Sequence, residues 1–159
     1  MTVSREIVGR FVDAALLDPP LADRLLQKHP ELKSATLLGE SFLHFLTIEN
    51  YPDGIGFLVD RGWPIDERDE DDTTPLINAV FVGAFEAAMV LLDLGADPNA
   101  VSAIYDNPLH CAISTGNIKM VDLLLKGGAT PLYTTSCGIT AFDVLPNNKP
   151  AKTPQSEQC

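Results

Sequence analysis

The apolar positions fall in short clusters at helical spacing, each closed by proline or glycine. Ile7, Phe11, Ala14 and Ala15 make one stripe, Pro19-Pro20 break it, and Leu21, Leu25 and Leu26 make a second. Further along, Ala87, Val90 and Leu91 and then Met120, Leu123 and Leu124 carry the i, i+3, i+4 spacing that puts side chains on one helix face. The clusters keep a common beat. Leu25-Leu26, Leu58-Val59, Leu91-Leu92 and Leu124-Leu125 follow one another at a constant offset of 33.

Two further markers keep the same offset. Ser41-Phe42-Leu43-His44 is followed one period later by Thr74-Pro75-Leu76-Ile77, then by Asn107-Pro108-Leu109-His110 and Thr140-Ala141-Phe142-Asp143. Arg61-Gly62-Trp63-Pro64 is followed in the same way by Leu94-Gly95-Ala96-Asp97 and Gly127-Gly128-Ala129-Thr130. A fixed period of this length is the signature of a repeat architecture. Ser41, Thr74, Asn107 and Thr140 are residues suited to cap a helix start, and Pro75 and Pro108 suit the first helical position, where no N–H is needed. Gly83 and Gly116 then end a first helix, and Gly95 and Gly128 a second. Neither helix reaches the roughly 12 to 15 residues at which an isolated helix is marginal in water, so the units must stack to be stable.

With Thr74-Pro75-Leu76 and Gly95-Ala96-Asp97-Pro98-Asn99-Ala100, the chain resembles the ankyrin-repeat family. The resemblance implies an all-α solenoid with short finger loops, forming one domain over residues 1–145. Residues 1–38 would be a degenerate cap; repeats would cover 39–71, 72–104 and 105–137, with a partial repeat at 138–145. Arg5, Arg10, Arg24 and Lys28, beside Glu6, Asp13 and Asp23, supply the water-facing side that an end unit needs. Residues 146–159 are polar and proline-containing and read as a flexible tail.

Some positions depart from the pattern. Pro52, Gly54 and Gly56 stand where the second helix of the first repeat should run, and that helix is expected to be short or frayed. Trp63 replaces a small residue, and Asp72 and Tyr105 hold a turn position where the family usually has glycine. Those turns are expected to be distorted.

Composition excludes several functions. The 159 residues carry 11 basic and 22 acidic side chains, a net charge of −11, which argues against a surface that neutralises phosphates and so against nucleic acid. The longest apolar run, Ala87 to Leu92, is far below the roughly 20 residues of a membrane helix. The N-terminal region has no basic-then-apolar leader, and Cys111, Cys137 and Cys159 form neither an even set nor a Cys-x-x-Cys pair. These features point to a cytoplasmic protein.

No cofactor, metal site or catalytic constellation is expected. Asp53-Gly54-Ile55-Gly56-Phe57-Leu58-Val59 begins like a dinucleotide fingerprint but has valine in place of the third glycine and falls inside a helix. His44 and His110 match the family's backbone-bonding histidine, and His29 lies at a helix end. Cys111 follows His110 without further ligands in sight.

The acidic run Asp66-Glu67-Arg68-Asp69-Glu70-Asp71-Asp72 carries −5, and its spacing lacks the glycine of a calcium loop. By register it is a finger between repeats. Residues 1–38 have net charge 0, residues 39–145 have −12 and the tail has +1, so the charge belongs to the repeats. Apolar groups stand beside the acids: Phe81 and Val82 at a helix end, Ile104 and Tyr105 in the next finger. Packing between helices is the alternative role for Phe81. Acids steer a basic partner while buried aromatics anchor it. The predicted contact set is Asp69, Glu70, Asp71, Thr73, Phe81, Val82, Ile104, Tyr105 and Asp106, in a non-enzymatic module that binds a protein with a basic surface. Small acidic ankyrin proteins include bacterial immunity proteins, so the resemblance implies inhibition of a basic toxin. The alternative is an adaptor or scaffold that leaves its partner active.

Overall fold

The computed structural model describes residues 4–37 and 39–131. Its elements are α1 (Arg5–Leu17), α2 (Pro19–Lys28), a 3-10 turn (Pro30–Ser34), β1 (Thr36–Leu37), β2 (Glu40–Ser41), α3 (Phe42–Ile48), α4 (Pro52–Asp60), α5 (Pro75–Val82), α6 (Phe85–Asp93), α7 (Pro108–Ser114) and α8 (Ile118–Lys126). Helices α3, α5 and α7 pack on one another in order and form an inner layer. Helices α4, α6 and α8 form an outer layer, and each hairpin joins one helix of each. The partial repeat at 138–145, the tail, Cys137 and Cys159 lie outside the described residues.

Each start signal works as its chemistry requires. Ser41 Oγ accepts from the amide of His44 (3.3 Å), Thr74 Oγ1 from Ile77 (3.4 Å) and Asn107 Oδ1 from His110 (2.8 Å). The turn inside each hairpin needs a left-handed residue, and Asn50, Gly83 and Gly116 supply it at φ 58°, 76° and 69°, one in each period. Side chains also tie neighbouring repeats at equivalent positions. Asp66 Oδ1 accepts from the amide of Asp97 (3.1 Å), and Asn99 Oδ1 accepts from the amide of Thr130 (2.7 Å).

Helix α4 is nine residues long, as α6 and α8 are, so the expectation of a frayed helix is corrected. Gly54 explains why: a Cβ there would lie 2.8 Å from Leu46 Cδ1 and 2.9 Å from Leu16 Cδ2. The missing side chain lets α4 approach α1 and α3 closely, and the apolar area gained offsets the poor helix propensity of glycine.

Trp63 distorts nothing. It is buried and stacks on Phe11 of the cap (centroids 6.1 Å apart, planes at 17°), which also meets Phe42 at 5.2 Å. The large ring fills the junction between cap and first repeat. Arg61 clamps the same junction: it donates two hydrogen bonds to Asp23, one at 2.9 Å from Nη2, and lies 3.6 Å over the Phe57 ring. At the finger turns, Asp72 adopts the left-handed conformation (φ 57°) expected of a glycine there, whereas Asp106 takes it in place of Tyr105. A short acidic side chain tolerates that region better than a bulky aromatic one.

Candidate protein-binding surface

The acidic finger is held by its own side chains. Asp69 Oδ1 accepts from the amides of Thr73 (2.8 Å) and Asp71 (3.0 Å), and Oδ2 accepts from the Thr73 hydroxyl and from Asn78 Nδ2 (3.2 Å). Burial pushes the Asp69 carboxyl up, but the Thr73 and Asn78 hydrogen bonds outweigh it, so the group titrates below the ordinary aspartate value. Thr73 is buried. Two of the nine predicted contact residues, Asp69 and Thr73, therefore shape the finger from within, while Glu70 and Asp71 face solvent.

His44 forms the root of this finger. Its ring is buried; Nε2 donates to the carbonyl of Glu67 (3.2 Å) and Nδ1 accepts from Asn78 Nδ2 (2.9 Å). Potential ligand atoms of Glu40, His44 and Asp69 lie within 4.8 Å of one another. Both ring nitrogens and both Asp69 oxygens are already committed to the protein, so this cluster fastens the finger and offers no ready donor set for a metal. Sequence reasoning missed Asn78, which reaches back from α5 to the preceding repeat.

Arg68 also escaped notice, read only as one base among acids. Its Nη1 donates to the carbonyls of Asp72 and Val101 (both 2.8 Å) and pairs with Asp72 Oδ1 at 3.2 Å. Val101 belongs to the next finger. Arg68 thus fixes the spacing of adjacent fingers while Asp72 remains exposed.

The apolar part of the predicted surface does come together. Phe81 at the end of α5 and Tyr105 in the finger before α7 meet with ring centroids 4.7 Å apart and planes at 41°. They line a cleft of about 150 Å³ with Ile104, Asp106, His110, Cys111, Ser114 and Thr115. His110 and Ser114 lie one turn apart on one face of α7 and Asp106 precedes the helix, so the cleft runs along α7. Phe81 is 49% and Ile104 57% exposed, large values for such side chains. Val82 is exposed as well but does not line this cleft.

The cleft shows no activated nucleophile. Asp106 Oδ2 lies 3.4 Å from His110 Nδ1, yet the Ser114 hydroxyl donates to the His110 carbonyl (2.6 Å), away from the imidazole. Burial pushes the Cys111 thiol up to about 11, so it stays protonated at neutral pH.

A family model described as ankyrin repeats (3 copies) matches residues 11–102, and a second, ankyrin repeats (many copies), matches residues 82–125. The chain belongs to the ankyrin-repeat family. An ankyrin repeat protein of fowlpox virus is 30% identical over 102 residues, 64% of this chain and 71% of that protein. The neurogenic locus notch homolog protein 1 of Danio rerio is 31% identical over 109 residues, 68% of this chain but 4% of that protein. The 2-5A-dependent ribonuclease of Mus musculus is 40% identical over 74 residues, 46% of this chain and 10% of the enzyme. Across the larger curated relatives the chain spans between 2% and 14% of their length.

Ankyrin repeats are protein–protein interaction modules, generally without catalysis of their own, and their stacking creates an extended binding face. The stacked fold agrees with an interaction module. Among the described residues, no helix is long and apolar enough to cross a membrane.

Proposed function

We propose that the chain is a non-enzymatic binding module that holds a basic protein against the face made by the acidic finger, the finger that carries Tyr105 and the groove between α5 and α7. The observation that carries this reading is the packed Phe81–Tyr105 pair with the exposed Ile104, on the finger that Arg68 ties to the one bearing the exposed Glu70, Asp71 and Asp72. Acids steer association and the desolvated rings hold the complex. The contact set is Glu70, Asp71, Phe81, Val82, Ile104, Tyr105 and Asp106, with Asp69 and Thr73 setting the finger's shape.

Inhibition of the partner, as an immunity protein inhibits a toxin, is the leading form of this reading. The charge of −12 confined to residues 39–145 supports it, because a strongly one-signed face suits a single basic target. The adaptor reading draws support from a different observation, the 2% to 4% of three much larger relatives that this chain spans.

Capture of the partner from its native lysate, elution by a salt gradient and assay of the purified partner with and without the chain test both forms. Loss of the partner's activity on binding is the result expected of an inhibitor. Unchanged activity overturns inhibition in favour of the adaptor, and a partner that elutes independently of salt contradicts the acidic contact itself.

A further inference from the structure

The cleft limits what can occupy it. At about 150 Å³ it is below the roughly 300 to 1,000 Å³ of sites that enclose small-molecule ligands. It is the right scale for one large side chain. A second copy of the chain is a poor occupant, because it would bring the same acidic fingers against Glu70, Asp71, Asp72 and Asp106. The neighbouring charge calls for a cation.

Spacing adds a second constraint. The acidic finger precedes α5 and the Tyr105 finger precedes α7, and these two helices are packed neighbours. Arg68 Nη1 donates to the carbonyls of both Asp72 and Val101 at 2.8 Å, which brings the two fingers side by side within about the 8 to 10 Å that separates packed helices. An extended peptide advances about 3.3 Å per residue, and side chains two or four apart point the same way. A lysine or arginine, with its long flexible stem, tolerates that range.

Resting on the protein-binding reading above, we propose that the recognised element is an extended segment of the partner. One large apolar side chain enters the Phe81–Ile104–Tyr105 cleft, and a lysine or arginine two to four residues away meets Glu70 and Asp71. Arg68 is the positioning residue for this arrangement, since its bonds to Asp72 and Val101 set the distance between the two fingers. The cleft supplies the anchor and the finger supplies the register.

The test is panning of a displayed library of random linear peptides on the full chain. The strongest peptide is then titrated against wild type, Phe81→Ser/Ile104→Ser and Glu70→Lys/Asp71→Lys, with circular dichroism to show that each variant is folded. The expected result is enrichment of peptides with a basic and a large apolar residue two to four positions apart. Affinity then falls about tenfold or more in the cleft variant, as expected when an interface anchor is lost, and salt dependence falls in the charge variant. Enriched peptides without that pairing, equal affinity for all three chains, or no enrichment each overturn the proposal. A folded basic protein captured from lysate without any enriched peptide overturns the linear segment and leaves the protein-binding reading standing. Failure of both experiments removes both.

Discussion

Phe81 and Tyr105, contributed by different repeats, bring their ring centroids within 4.7 Å across the groove between α5 and α7. Neither ring is part of the buried core. An aromatic pair of this kind contributes about 0.5 to 1.5 kcal/mol beyond its area burial. Phe81→Ala and Tyr105→Ala should therefore each cost little stability in denaturant unfolding, while affinity for the partner falls about tenfold or more. A stability loss above roughly 3 kcal/mol, the range of buried aromatic truncations, would place these rings in the core.

Asp69 behaves differently from its acidic neighbours. Its folded-state pKa is lowered, so it contributes stability that is present above the unfolded value near 3.8 and is lost as pH falls through the lower folded value. Asp69→Asn should cost roughly 1 to 3 kcal/mol at pH 7, the scale of hydrogen bonds to a charged group. It should also flatten the acid side of the stability profile below about pH 4. Glu70→Lys/Asp71→Lys should shift unfolding by less than about 0.5 kcal/mol per substitution, as exposed changes do. A lysine at position 69 consequently tests folding of the finger, and only positions 70 and 71 test docking.

Two glycines in α4 give opposite expectations. Gly56 has no atom within 4 Å of a built Cβ, so Gly56→Ala should stabilise the chain by up to about 1 kcal/mol through helix propensity. Gly54→Ala pushes into the buried Leu46 and should be the less stable of the two by more than about 1 kcal/mol. Thermal unfolding of the pair checks this; equal gains would mean that α4 does not seat as closely as described.

Leu91 is fully buried on α6, between the helices α4 and α8 of the outer layer. Leu91→Ala should destabilise by roughly 2 to 5 kcal/mol, because each repeat is supported only by its neighbours. Urea unfolding measures it, and a change below about 0.5 kcal/mol would contradict the register of the stack.

The repeat and its helices were legible in the sequence because capping residues act locally and recur in every described period, joined in two of them by a first-turn proline and a left-handed glycine. Local signals say nothing about fit across repeats. The length of α4 rests on contact between Gly54 and side chains of α1 and α3, and the place of Trp63 rests on Phe11, far earlier in the chain. At the surface, register put Phe81 and Ile104 at contact positions but left packing between helices open for Phe81; both side chains are about half exposed. The inward turn of Asp69 did not, because it depends on Asn78 bridging to His44 of the previous repeat. The composition of the acidic run also concealed that Arg68 ties two fingers together.

A basic partner that docks across the exposed acids of the finger and the Phe81–Tyr105 cleft must respond to the charge at positions 70 and 71. The most direct measurement is the partner's affinity for wild type and for Glu70→Lys/Asp71→Lys over a series of salt concentrations. Affinity is expected to be about tenfold or more weaker for the variant at low salt, converging toward wild type as salt rises and screens the charges. Equal affinity and equal salt dependence in the two chains would contradict it.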